Sequence, residues 1–161
     1  MKLSTLISFG AIAGLVAVNS ASAQTATQTV TFQVTAINQI AVTGSPSLVI
    51  NAAAAGSAPT SVTASGNTWS VTTNQSGASI TASIPTAMPA GLTLSANLTA
   101  PAGATSTGLT ALGTTAVNVV TGITKLNSAA LGLAYQLDAT AAAGVVSSST
   151  RVVTYTITGG V

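Results

Sequence analysis

The chain has 161 residues, 47% of them apolar and only 2% charged, with one acidic residue, three basic residues, no histidine and no cysteine. Zinc clusters, paired-carboxylate or histidine acid–base sites and disulfide frameworks lack their residues here, and no basic surface exists to hold phosphates. The length suits one domain able to bury its own core.

Residues 1–23 have the layout of a secretory signal: Lys2, an apolar run from Leu6 to Val18, and the small residues Ala21-Ser22-Ala23, which predict cleavage before Gln24. The apolar run is shorter than a spanning helix, and no later stretch reaches that length, so no membrane span is expected after cleavage. The expected organisation is a signal peptide at 1–23, an N-terminal strand extension at 24–38 and a β-sandwich domain at 39–161. Beyond the leader only Lys125, Asp138 and Arg151 carry charge. A surface of hydroxyls and amides with almost no net charge favours contact between copies, because charge repulsion is what keeps soluble monomers apart.

Gln28 to Ala36 reads QTVTFQVTA, with Val30, Phe32, Val34 and Ala36 on one face and Thr29, Thr31, Gln33 and Thr35 on the other. Strict period-2 alternation predicts a half-buried strand. The pattern breaks at Ile37-Asn38, a bulge or a hinge, and resumes from Ile40 to Thr43 before Gly44-Ser45-Pro46. Leu48-Val49-Ile50 predicts a short strand, and the Ala52 to Pro59 run a loop, since Gly56 and Pro59 interrupt any helix.

Thr60–Ala64 and Thr68–Thr73 predict two strands of a hairpin around Ser65-Gly66-Asn67, with Trp69 a core or interface anchor rather than a sugar platform. Asn74 to Gly77 predicts a turn. Ala78 to Ile84 alternates Ala78, Ile80, Ala82 and Ile84, and Leu92 to Leu98 alternates Leu92, Leu94, Ala96 and Leu98; both predict strands. Ala102 to Gly108 predicts an exposed loop. Thr114 to Thr121 predicts a strand halted by Gly122, and Leu131 to Leu137 one with Leu131, Leu133, Tyr135 and Leu137 on its bulky face. Ala139 to Ser149 predicts a loop. Arg151 to Thr158, RVVTYTIT, predicts a last strand with Val153, Tyr155 and Ile157 on one side. Short strands at regular spacing without a convincing helix indicate an all-β, antiparallel β-sandwich with an N-terminal extended strand.

Catalysis is not expected, because nucleophile–base and acid–base sets need residues the chain lacks, and a Ser-Lys pair on Lys125 is outweighed by a solvated surface lysine. No cofactor or metal is expected. Asn74-Gln75-Ser76 and Asn97-Leu98-Thr99 match the glycan acceptor pattern, so glycans are possible partners. Nucleic acid is not expected as a partner.

Export, low charge and a strand set off by the Ile37-Asn38 break together predict a structural subunit of an extracellular filament or coat. Insertion of Val30, Phe32, Val34 and Ala36 into a neighbouring copy would add main-chain hydrogen bonds and bury alternate side chains. The alternatives are a secreted adhesin or carbohydrate-binding sandwich with Gln28–Ala36 paired inside its own sheet, and a surface-layer subunit.

The leader ending ASAQ, the QTVTFQVTA segment, the MPAGLTL turn and strand and the closing VVTYTIT strand resemble bacterial secreted pilin-like and coat-like β-sandwich proteins that assemble by donor-strand exchange. The resemblance implies an Ig-like or pilin-like sandwich, a homopolymer and a cell-surface appendage. Lacking the cysteine pair of chaperone–usher pilins, the chain implies a variant that self-assembles without them.

Overall fold

A computed structural model describes residues 22–161, so the expected leader with its apolar run lies outside the described residues. The chain divides into two units, Met1–Gln33 and Val34–Val161. In the first, residues 22–33 are exposed and part of no strand.

Val34–Val161 contains nine strands: β1 (Asn38–Thr43), β2 (Val62–Thr73), β3 (Ala78–Ser83), β4 (Leu92–Leu98), β5 (Thr105–Ser106), β6 (Thr110–Ala111), β7 (Val117–Ile123), β8 (Leu126–Ala139) and β9 (Thr154–Thr158). Every pairing is antiparallel. One sheet has the order β1-β2-β8-β4-β6 and the other β5-β7-β3-β9, which makes an all-β sandwich. A single turn of 3-10 helix, Ala141–Ala143, follows β8. No helix among the described residues is long and apolar enough to cross a membrane.

The period-2 pattern does what it predicts in β3 and β4. Ala78, Ile80, Ala82 and Ile84 are buried from one sheet, and Leu94, Ala96 and Leu98 from the other. Trp69 on β2 is fully buried, and its Nε1–H donates to the Thr99 carbonyl at 3.2 Å, so the indole is a core anchor with its polar atom satisfied.

Three expectations are corrected. The hairpin around Gly66 does not form: Thr60–Thr73 yields one strand, β2, with a bulge between Ala64 and Asn67, and Gly66 takes φ +87° within it. Both halves pair with the same partner, Ala64 opposite Tyr135 and Asn67 opposite Leu133, which a turn there would forbid. Gly122 does not halt β7, which runs on to Ile123. Leu48-Val49-Ile50 is in no ladder, so it is not a strand.

Candidate functional site

The expected strand over Gln28–Ala36 is also not formed in this chain: β1 begins only at Asn38. Val30, Phe32 and Val34 are 72%, 90% and 79% exposed, and Ala36 is exposed as well. An alternating apolar face thus stands in solvent, with no ladder to justify the alternation.

At its root the segment is held by one side chain. Asn74, in the turn between β2 and β3, accepts from the Ile37 amide through Oδ1 at 2.8 Å and donates from Nδ2 to the Thr35 carbonyl at 2.7 Å. The Asn74 amide in turn donates to the Ile37 carbonyl at 3.2 Å. Ile37-Asn38, where the sequence pattern breaks, is therefore the point at which the chain enters its first ladder, Asn38 opposite Thr73. The same turn collects two other chain segments. Ser76 exchanges both backbone hydrogen bonds with Val161, and the Gln75 carbonyl accepts from the Lys125 amide at 2.8 Å. An open depression of about 530 Å³ lies beside this root, lined by Ile37, Thr73, Asn74, Lys125 and Leu126 among others. The Asn74 side chain is committed to the backbone at Thr35–Ile37 and to Gln75, whose Nε2 donates to its Oδ1 at 2.7 Å, whereas Asn97, in the other glycan-acceptor match, is exposed on β4.

At the opposite end of β2, Val62 faces Leu137, which lines a second depression. A cleft of about 350 Å³ has Leu94, Tyr135 and Leu137 at its base, Pro46 and Leu48 along one side and Ser149, Thr150, Arg151 and Val153 along the other. Arg151, the single charged side chain lining it, is turned to backbone: its Nε and a terminal nitrogen donate to the Ala87 carbonyl at 3.3 and 3.2 Å, and its other terminal nitrogen donates to the Thr150 carbonyl at 2.8 Å. Beneath the cleft the Tyr155 hydroxyl donates to the Tyr135 hydroxyl at 2.9 Å, joining the two sheets. Burial raises the pKa of both phenols. For Tyr155 the hydrogen bond it donates adds to the rise, while for Tyr135 the same bond opposes it.

Sequence reasoning reached the exposed apolar face but missed the cleft and the Asn74 clamp. In sequence Asn74 reads as a turn residue, and nothing in its neighbours marks it as a partner of Thr35 and Ile37. Comparison with protein-family models, with curated proteins and with solved structures gives no match.

Proposed function

We propose that the protein is a structural subunit of an extracellular filament or surface coat, polymerising by insertion of its N-terminal segment into a neighbouring copy. One observation carries this reading: Gln28–Ala36 has the alternation of a half-buried strand, yet its apolar face is left in water. A contiguous exposed apolar strip of this kind marks an interaction site. Three side chains of the size of Val30, Phe32 and Val34 would each gain about 1.5–3 kcal/mol on burial, before the cost of ordering the segment is subtracted.

The near-absence of charge supports contact between like copies, since no repulsion opposes it. Heterologous insertion, one copy's extension into the next copy's body, propagates as an open filament unless the rotation closes a ring. In this reading the mature protein is a homopolymer outside the cell, with no catalytic role.

The test is to express the exported protein with and without Gln24–Ala36 and to follow assembly by sedimentation and negative-stain microscopy. Filaments from the full chain and monomers from the truncated one are expected. Unchanged filaments from the truncated protein, or a full chain that stays monomeric at high concentration, overturn the reading.

A further inference from the structure

The cleft between Pro46–Ile50 and Ser149–Val153 combines an apolar lining with unpaired backbone. Each of its long sides is a stretch of backbone in no ladder. The β1 ladder ends at Thr43 opposite Thr68, and the β9 ladder begins at Thr154 opposite Ser83. Between residues 45 and 50, and again between 145 and 153, no backbone group hydrogen-bonds another backbone group among the described residues. Both stretches continue edge strands, because β1 ends one sheet and β9 ends the other.

An edge with free N–H and C=O groups is a template for one more strand. Here two such stretches line one cleft together with the apolar Leu94, Tyr135 and Leu137, and of their carbonyls only that of Thr150 is taken, by Arg151. The inward side chains match this openness: Leu48, Val153, Tyr155 and Ile157 are packed against the core but only partly buried.

We infer that this cleft is the acceptor site for Gln28–Ala36 of a second copy, which completes the sandwich by lying between the Pro46–Ile50 and Ser149–Val153 backbones. The inference rests on the polymerisation reading and adds to it the place of insertion. Five residues on each side give a trough about 16 Å long at the usual rise of a strand. Three alternate side chains of an inserted strand fit that length, so three of Val30, Phe32, Val34 and Ala36 enter together.

Charge agrees as well. The segment is uncharged, and the guanidinium of Arg151 is already occupied by the Ala87 and Thr150 carbonyls. Insertion therefore leaves no charge buried without a partner.

The topology favours a neighbour as donor. The extension leaves the body beside Thr73 and Asn74, at one end of β2, whereas the cleft lies beside Val62 and Leu137, at the other. Twelve residues of strand separate these ends by about 40 Å. An exit at one end and an acceptor at the other is head-to-tail geometry, with the acceptor side of each copy left open for the next.

Cross-linking in this cysteine-free chain tests the site without background. Double variants combine Val30→Cys, Phe32→Cys or Val34→Cys with Leu48→Cys or Val153→Cys, and Thr93→Cys, exposed on β4, serves as the control wall. Filaments are grown under reducing conditions, oxidised and run on denaturing gels. A covalent ladder with both cleft walls from at least one donor position, and none with Thr93, is expected.

Filaments that give no ladder through either wall, or an equal one through Thr93, overturn the acceptor site while the filament reading stands. A bond confined within single chains shows self-insertion and overturns it too. A full chain that forms no filaments removes the acceptor site together with the reading beneath it. Hydrogen exchange gives a measurement free of substitutions: amides of 47–50 and 149–153 are expected to slow on assembly of the natural chain, and unchanged exchange there overturns the site.

Discussion

The hydroxyl of Tyr155, on the last strand of one sheet, donates to the hydroxyl of Tyr135, in the middle of the other, across 2.9 Å. Each sheet thus supplies the partner that the other's phenol needs, and the pair ties β8 to β9 at the base of the cleft. Both phenols are held above their ordinary pKa of 10.0, chiefly by burial. Such a group keeps its proton longer in the folded chain than in the unfolded one. Its contribution is therefore complete below pH 10 and is lost as pH rises further, because the unfolded state then binds fewer protons. We expect thermal stability to fall above pH 10, by at most about 1.4 kcal/mol per pH unit for each tyrosine. Melting followed by circular dichroism from pH 8 to 12 checks this. The Tyr135→Phe/Tyr155→Phe variant should show a flatter alkaline limb, and an unchanged limb would mean the phenols are not its cause.

Trp69 is buried without remainder, and its indole nitrogen is matched to Thr99. Trp69→Ala leaves a large cavity under β2 and should cost about 3–5 kcal/mol. Trp69→Phe keeps most of the apolar volume and gives up the hydrogen bond to Thr99, an exposed residue, so a smaller loss, about 0.5–1.5 kcal/mol, is expected. Urea unfolding followed by circular dichroism separates the two.

Gly44 sits where β1 gives way to the cleft wall, with φ +113°. A Cβ built there would clash with Oδ1 of Asn67, a buried residue. Gly44→Ala therefore combines an unfavourable backbone conformation with a clash. We expect a loss of at least about 1–2 kcal/mol in urea unfolding, from the conformation alone. Gly56→Ala is the comparison, since it too has a positive φ but open space around its Cβ position.

Asn74 holds the backbone on both sides of Ala36, accepting from Ile37 and donating to Thr35. Asn74→Ala removes both of these and the bond that Gln75 Nε2 donates to Oδ1, and should cost about 1–3 kcal/mol, at the usual net worth of a hydrogen bond. Asn74→Asp keeps the acceptor for Ile37 but faces the Thr35 carbonyl with a carboxylate that has no proton to give. In both variants the Ile37 amide or the chain before it should exchange and be cleaved by protease faster, while β3 and β4 keep their protection.

Much of the sandwich was legible because alternation and burial coincide: β3, β4 and the Tyr135 and Tyr155 strands show their inward faces in sequence order. The misreading at Gly66 has a physical source. A positive φ serves a hairpin turn and a bulge equally well, and the choice is made by β8, far along the chain, which pairs on both sides of the glycine. Leu48-Val49-Ile50 has the composition of a strand but no partner, and a pattern in one segment cannot report whether a second is present. The cleft was illegible for the same reason, since its sides and base come from four separated stretches. Gln28–Ala36 is the reverse case: its alternation was plain, and only the coordinates show that nothing in the described chain pairs with it.

Phe32 tests that segment most sharply, because it is the largest apolar side chain there and is 90% exposed. A charge at this position costs a single folded copy almost nothing, so Phe32→Asp should unfold within about 0.5 kcal/mol of the natural chain. In an assembled copy the same carboxylate would be buried among Leu94, Tyr135 and Leu137 without a partner, at a cost of several kcal/mol by order of magnitude. Filament formation should therefore be lost while the monomer's melting curve is preserved. Thr31→Asp places the charge one residue away, on the polar face that stays toward water in the inserted strand, and should assemble far better. Sedimentation of the three proteins at equal concentration reads the difference. Filaments from Phe32→Asp at the natural yield would show that this face is not what the assembly buries.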